Sequence, residues 1–154
     1  MENKFPQIYP CDLYDRIILD GGANNTFEKV YRVASYGVID RDAFLSTFEE
    51  FKLPDTNLVN RDAFLASACN DYDIGDYSVS FYERRKEAKR VLGLKKRYHD
   101  GPVLIFGTIL PEHGLSIRTR ESTNPDRRTN DSHVDLWKYE NVDMTNLFEI
   151  EEMQ

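Results

Sequence analysis

Arg32 lies in the run Val30-Tyr31-Arg32-Val33. A guanidinium held on a strand between apolar neighbours can grip a phosphate or carboxylate through two parallel hydrogen bonds. On a solvated strand face it has no such role, so its surroundings decide. Ser46 and Thr47 sit in a helical stretch, and Ser78 and Ser80 sit on a strand before a basic helix. Hydroxyls at such junctions can hold ribose or phosphate oxygens, although serine is also ordinary strand-edge polarity. In His133-Val134-Asp135-Leu136-Trp137, alternation puts imidazole, carboxylate and indole on one face, and the imidazole titrates near neutral pH. Pairing of His133 with Cys11 or Cys69 would need a cysteine opening a helix in a glycine-rich setting, and neither does. His133 and Asp135 lack further ligands, since His99 and His113 fall in no ligand spacing, so no metal is expected. Arg118 and Arg120 precede a polar loop, and Arg127 and Arg128 follow its start. Together they can rim an anionic ligand, or simply stay solvated. No Gly-x-Gly-x-x-Gly, phosphate-binding loop or Gly-x-Ser-x-Gly elbow occurs.

The elements that must position these residues follow from periodicity and punctuation. Residues 12–19 have helical character, ended by Asp20-Gly21-Gly22. A strand over 30–33 precedes a helix over 40–51, capped by Asp40, with Ala43, Phe44, Phe48 and Phe51 on one face. Arg-Asp-Ala-Phe-Leu recurs at 41–45 and 61–65, which predicts two similar helix starts rather than a repeat array. A strand over 77–82 leads into a helix over 83–92, stopped by Gly93. The apolar run 103–110 predicts a central strand in which Gly107 permits a bulge or a close approach. Strands follow at 116–119, 134–139 and 148–151, with a polar, mobile loop over 123–132. The expected fold is one α+β domain spanning 1–154, with a mixed sheet, two to four flanking helices and an N-terminal extension over 1–25.

Composition sets the outer limits. The chain has 154 residues, 40% hydrophobic and 31% charged, with nine Tyr, nine Phe and one Trp, a mix that goes with a folded core. No apolar run approaches the roughly 20 residues of a membrane span, residues 1–10 do not read as a signal peptide, and two cysteines without a framework suggest the cytoplasm. The net charge of −7 is unevenly spread. Residues 84–128 carry 12 Lys and Arg against five acids, while 1–83 balance to −8 and 129–154 to −6. A basic middle can form a local anion site or pair with its acidic flanks; duplex DNA is not an expected partner, because those flanks would repel it.

The landmarks Val30-Tyr31-Arg32-Val33, Asp42-Ala43-Phe44-Leu45-Ser46, Tyr77-Ser78-Val79-Ser80 before a helix containing Ala88, Phe106-Gly107-Thr108-Ile109 and Ser132-His133-Val134-Asp135-Leu136-Trp137 cover residues 30–151. The series resembles a group of small bacterial proteins and is similar to the ADP-ribosyltransferase-like fold, including its RES-type toxin branch. The resemblance implies an NAD-binding cleft. In it Arg32 holds the pyrophosphate, Ser80 or Ser46 supplies a hydroxyl, Tyr31 or Tyr77 stacks on nicotinamide, and Glu140 or Glu149 stabilises an oxocarbenium-like state. His133 has no fixed role in those families and stands as a further catalytic candidate, with Arg118 a further cofactor contact. On this reading the protein is a bacterial or phage-type enzyme that transfers ADP-ribose or cleaves NAD, and Arg32→Ala leaves the fold nearly intact. The alternative is a non-enzymatic protein of a defence or regulatory system that binds a protein partner through its acidic surface. Convergence of Arg32, a hydroxyl and a glutamate in one pocket separates the two.

Overall fold

The computed structural model describes residues 4–6, 9–50 and 72–151. Helix α1 (Leu13–Asp20) ends where Gly21 adopts φ +105°, a left-handed cap that a side chain rarely tolerates. Strand β1 (Phe27–Ala34) follows, then a 3₁₀ turn (Arg41–Phe44) and short α2 (Thr47–Glu50). A second 3₁₀ turn (Ile74–Tyr77) precedes β2 (Val79–Tyr82), α3 (Arg85–Lys95), β3 (Val103–Ile109), β4 (Gly114–Arg118), β5 (His133–Lys138) and β6 (Phe148–Ile150). The second Arg-Asp-Ala-Phe-Leu segment at 61–65, Phe51 and Cys69 lie outside the described residues.

The six strands form one sheet in the order β4-β5-β2-β1-β3-β6. Every described pairing is antiparallel, so the expectation of a mixed sheet is corrected. The reason lies in β2–α3–β3. A strand–helix–strand unit ordinarily returns its second strand parallel and adjacent to the first. Here β1 sits between β2 and β3 and runs against both, so the two parallel strands never touch. The α+β class itself holds.

Each sheet face is covered. One carries Val30, Ala34, Phe81, Ile105, Val134 and Leu136 against the first 3₁₀ turn and the C-terminal residues Met144 and Phe148. On the other, Ala88 and Leu92 of α3 pack on Tyr31, Val33 and Leu104. Further along that face, Leu13 and Ile17 of α1 pack on Leu115, Ile117 and Trp137. Phe5 and Tyr9 join this last cluster, so the N-terminal segment is part of the core rather than an appendage. Gly107 makes the expected close approach: a Cβ there would lie 2.2 Å from the Leu147 carbonyl oxygen.

Two element boundaries differ from the sequence reading for identifiable reasons. The helix expected over 40–51 is broken at Leu45, whose backbone is extended. The Arg32 guanidinium takes the carbonyls of Ala43 and Leu45, the groups that would otherwise accept the next helical turn's N–H bonds. The basic helix starts at Arg85 and runs through Gly93 to Lys95, because Glu83 is drawn out to Arg118 and Gly93 faces solvent.

Candidate functional site

Strands β1 and β2 share a single register pair, Tyr31 opposite Tyr82. Beyond it Val33 and Ala34 take no partner from β2, and the Arg32 side chain spans the opening. Its Nε donates to Ala43 O at 2.6 Å, one terminal nitrogen to Ser80 O at 2.9 Å and the other to Leu45 O at 3.1 Å. The open ladder leaves a cleft of about 230 Å³ whose polar lining comprises Arg32, Thr47, Ser78, Ser80, Tyr82 and Lys95. Val33, Leu45, Ala88 and Val91 supply its apolar wall. Lys95 reaches in from α3 and donates to Ser35 Oγ at 3.2 Å. Burial first, and then the nearby acids Asp131, Glu87 and Asp135, raise the Tyr82 pKa, so its hydroxyl stays protonated. No carboxylate is among the described lining residues. The cleft therefore offers positive charge and hydroxyls, the donor set for an anionic, oxygen-rich ligand.

The other sequence candidates are distributed around the molecule. Ser46 is fully buried and caps α2: its Oγ accepts the Glu49 N–H at 3.1 Å while Glu49 Oε1 accepts the Ser46 N–H at 3.2 Å. This reciprocal box, extended by the Tyr9 hydroxyl at 2.9 Å, leaves Ser46 a structural task. Tyr31 is buried beside Phe106 and outside the cleft lining. Arg118 forms a bidentate pair with Glu83 at 2.6 and 3.2 Å and lies over the Phe27 ring. Glu140 is exposed beyond the far end of β5, about 17 Å of strand from the end where His133 meets Tyr82. Glu149 is exposed on the edge strand β6, three strand spacings or about 14 Å from β2. Arg32 and Ser80 thus share the cleft, with Thr47, Lys95 and Tyr82 added, and neither glutamate lines it.

His133 belongs to a neighbouring buried network. Its Nδ1 lies 2.5 Å from Thr119 Oγ1, which also lies 2.8 Å from Asp135 Oδ2. A hydroxyl has one hydrogen, and the carboxylate takes it, so the imidazole donates through Nδ1–H. Asp135 further accepts from Ser78 Oγ at 2.7 Å and from Arg127 at 2.8 Å. Arg127, read from sequence as a rim residue, is 10% exposed. It binds Asp20 at 2.7 Å, approaches Asp73 at 3.4 Å and lies over the Trp137 ring. The loop over 123–132 is irregular as expected but tied to the sheet through this arginine. The available signal was Asp135, an acid set on a strand directly between the apolar residues Val134 and Leu136.

Cys11 is exposed. Among the described residues no group of three or more His, Cys, Asp or Glu is placed to hold a metal ion, and no helix is long and apolar enough to cross a membrane. Comparison with protein-family models, curated proteins and solved structures finds no match.

Proposed function

We propose that the cleft between β1 and β2 binds the phosphate–ribose part of a nucleotide, and that binding rather than turnover is the protein's role. The observation that carries this reading is the cleft's lining, with two cations, the hydroxyls of Thr47, Ser80 and Tyr82 besides that of Ser78, which is bound to Asp135, and no described carboxylate. Lys95 and Arg32 supply charge for a phosphate, and Thr47 and Ser80 supply hydroxyls for sugar or phosphate oxygens. NAD offers such a group, and the match of Arg32 and Ser80 to the ADP-ribosyltransferase-like pattern agrees with it. A volume of about 230 Å³ is below the roughly 300–1,000 Å³ of sites that enclose drug-sized ligands, so one half of a dinucleotide enters. Cleavage of the nicotinamide–ribose bond calls for a carboxylate at the ribose, and Glu140 and Glu149 lie elsewhere.

Calorimetry of the full chain with AMP, ADP-ribose and NAD, run beside a nicotinamide-release assay, tests the proposal. All three ligands are expected to bind without release of nicotinamide. Lys95→Glu is expected to weaken binding by about 10- to 150-fold, the equivalent of one charge-assisted contact, at an unchanged melting temperature. Absence of binding by all three would remove the reading, and nicotinamide release would return the protein to the enzymes.

A further inference from the structure

Helix α3 turns Ala88 and Leu92 to the sheet and sets Lys86, Lys89 and Arg90 toward solvent, and Lys96 and Arg97 are exposed in the turn that follows it. At 100° per residue Lys86, Lys89 and Arg90 fall within about 100° of one another, on the side away from the sheet, and the two cations of the turn extend this stripe. The stripe is about 16 Å long, from the helical rise of 1.5 Å per residue. None of these five side chains forms an ion pair or hydrogen bond with a described residue, although the chain as a whole carries −7. Among the described residues, the acidic flanks therefore do not pair with this part of the basic middle. It forms a concentrated field on an otherwise acidic protein.

Aromatic groups stand at the stripe's C-terminal end. Tyr98 is 82% exposed, and Tyr36, 58% exposed, meets the His99 ring edge-on at 5.5 Å. We infer that this face docks single-stranded nucleic acid, with phosphates along the cations and a base stacked on Tyr98 or Tyr36. A cationic track with exposed rings is the combination that binds single strands without sequence preference, at sites as short as about four nucleotides. The lone stripe suits a strand of that length, whereas a duplex would bring a much larger negative surface against the acidic segments on either side. An acidic peptide would use the cations but has no need of the exposed rings. The inference uses none of the polar cleft residues and stands apart from the nucleotide-binding reading.

The test is fluorescence anisotropy of a labelled oligouridylate of about ten nucleotides, titrated with the full chain at several salt concentrations. Binding is expected to weaken with salt, with a log–log slope near −3 for about four phosphates. A duplex of equal length should bind about tenfold more weakly or worse. Lys89→Glu combined with Arg90→Glu is expected to weaken binding at least about tenfold. Tyr98→Ala should weaken it by about 5- to 150-fold, the range of one lost base stack. These side chains are exposed, so the variants should melt with wild type, and circular dichroism verifies that. Absence of binding, indifference to the double charge reversal, or polyglutamate competing as well as unlabelled oligouridylate would each overturn the inference, the last in favour of an acidic protein partner.

Discussion

Arg32 and Arg127 each fasten a loop to the sheet, but with different partners. The described bonds of Arg32 go to three backbone carbonyls, those of Ala43, Leu45 and Ser80. Those of Arg127 go to carboxylates, Asp20 and Asp135, with Asp73 at the margin. Carbonyls carry dipoles without net charge, so the contacts of Arg32 shape backbone while its cleft stays without a described acid. The carboxylates around Arg127 offset its charge and close the space around it. The contrast teaches that an arginine's partners, more than its burial, separate an arginine enclosed in a charge network from one that lines an open cleft.

Removing Arg127 should have the larger effect. Arg127→Ala leaves Asp20 and Asp135 buried without their cation, and breaking a buried pair in this way is expected to destabilise by about 3–5 kcal/mol. Urea unfolding measures it, and a loss below about 1 kcal/mol would reduce the network to a surface pair.

Arg32→Ala should follow, at about 2–3 kcal/mol, because it strands carbonyl groups that accept from a charged donor. Arg32→Lys keeps the charge but not the fork and should recover only part of the loss. This differs from the expectation that the alanine variant leaves the fold nearly intact, and an unchanged unfolding midpoint would favour that expectation.

Ser46→Ala removes one side of the α2 capping box and is expected to destabilise by about 1 kcal/mol. The nucleotide affinity proposed for the cleft should be untouched, since Ser46 does not line it. A selective loss of affinity would instead put the Ser46 hydroxyl in the site.

The smallest effect concerns pH. His113 is buried, its Nδ1 accepts the Leu110 N–H at 2.9 Å, and burial holds its pKa below the usual value. The unfolded chain takes up this proton near pH 6.5, before the folded chain does. The contribution of His113 is therefore full above about pH 6.5 and declines as pH falls toward the folded pKa. Melting temperatures at about pH 7.5 and 5.5 should differ less in His113→Asn, which keeps an acceptor without the titration. An equal difference in both proteins would assign the acid sensitivity elsewhere.

Local pattern made much of this architecture readable. The apolar run at 103–110, the alternation over 133–138 and the Asp20-Gly21 stop each depend on near neighbours, and each lies within a few residues of its expected place. The break at Leu45 was hidden because its cause, the Arg32 side chain, is 13 residues away. Strand order was hidden for the same reason, since nothing local says that β1 lies between β2 and β3. In the cleft, Arg32 and Ser80 were legible from residue type on a strand. Lys95 and Tyr82 were not, because their part depends on how α3 crosses the open ladder.

The central place of β1 also has a kinetic consequence. Tyr31 pairs with Tyr82 and Phe106, about 50 and 75 residues later, a separation that slows folding by delaying its most rewarding contacts. During synthesis β1 leaves the ribosome before either partner exists. Its apolar Val30, Tyr31 and Val33 then wait with both backbone edges open, the condition in which strands pair with the wrong neighbour. Arg32, set among them, is the one charge in that run and a natural guard against such pairing until β2 and β3 arrive.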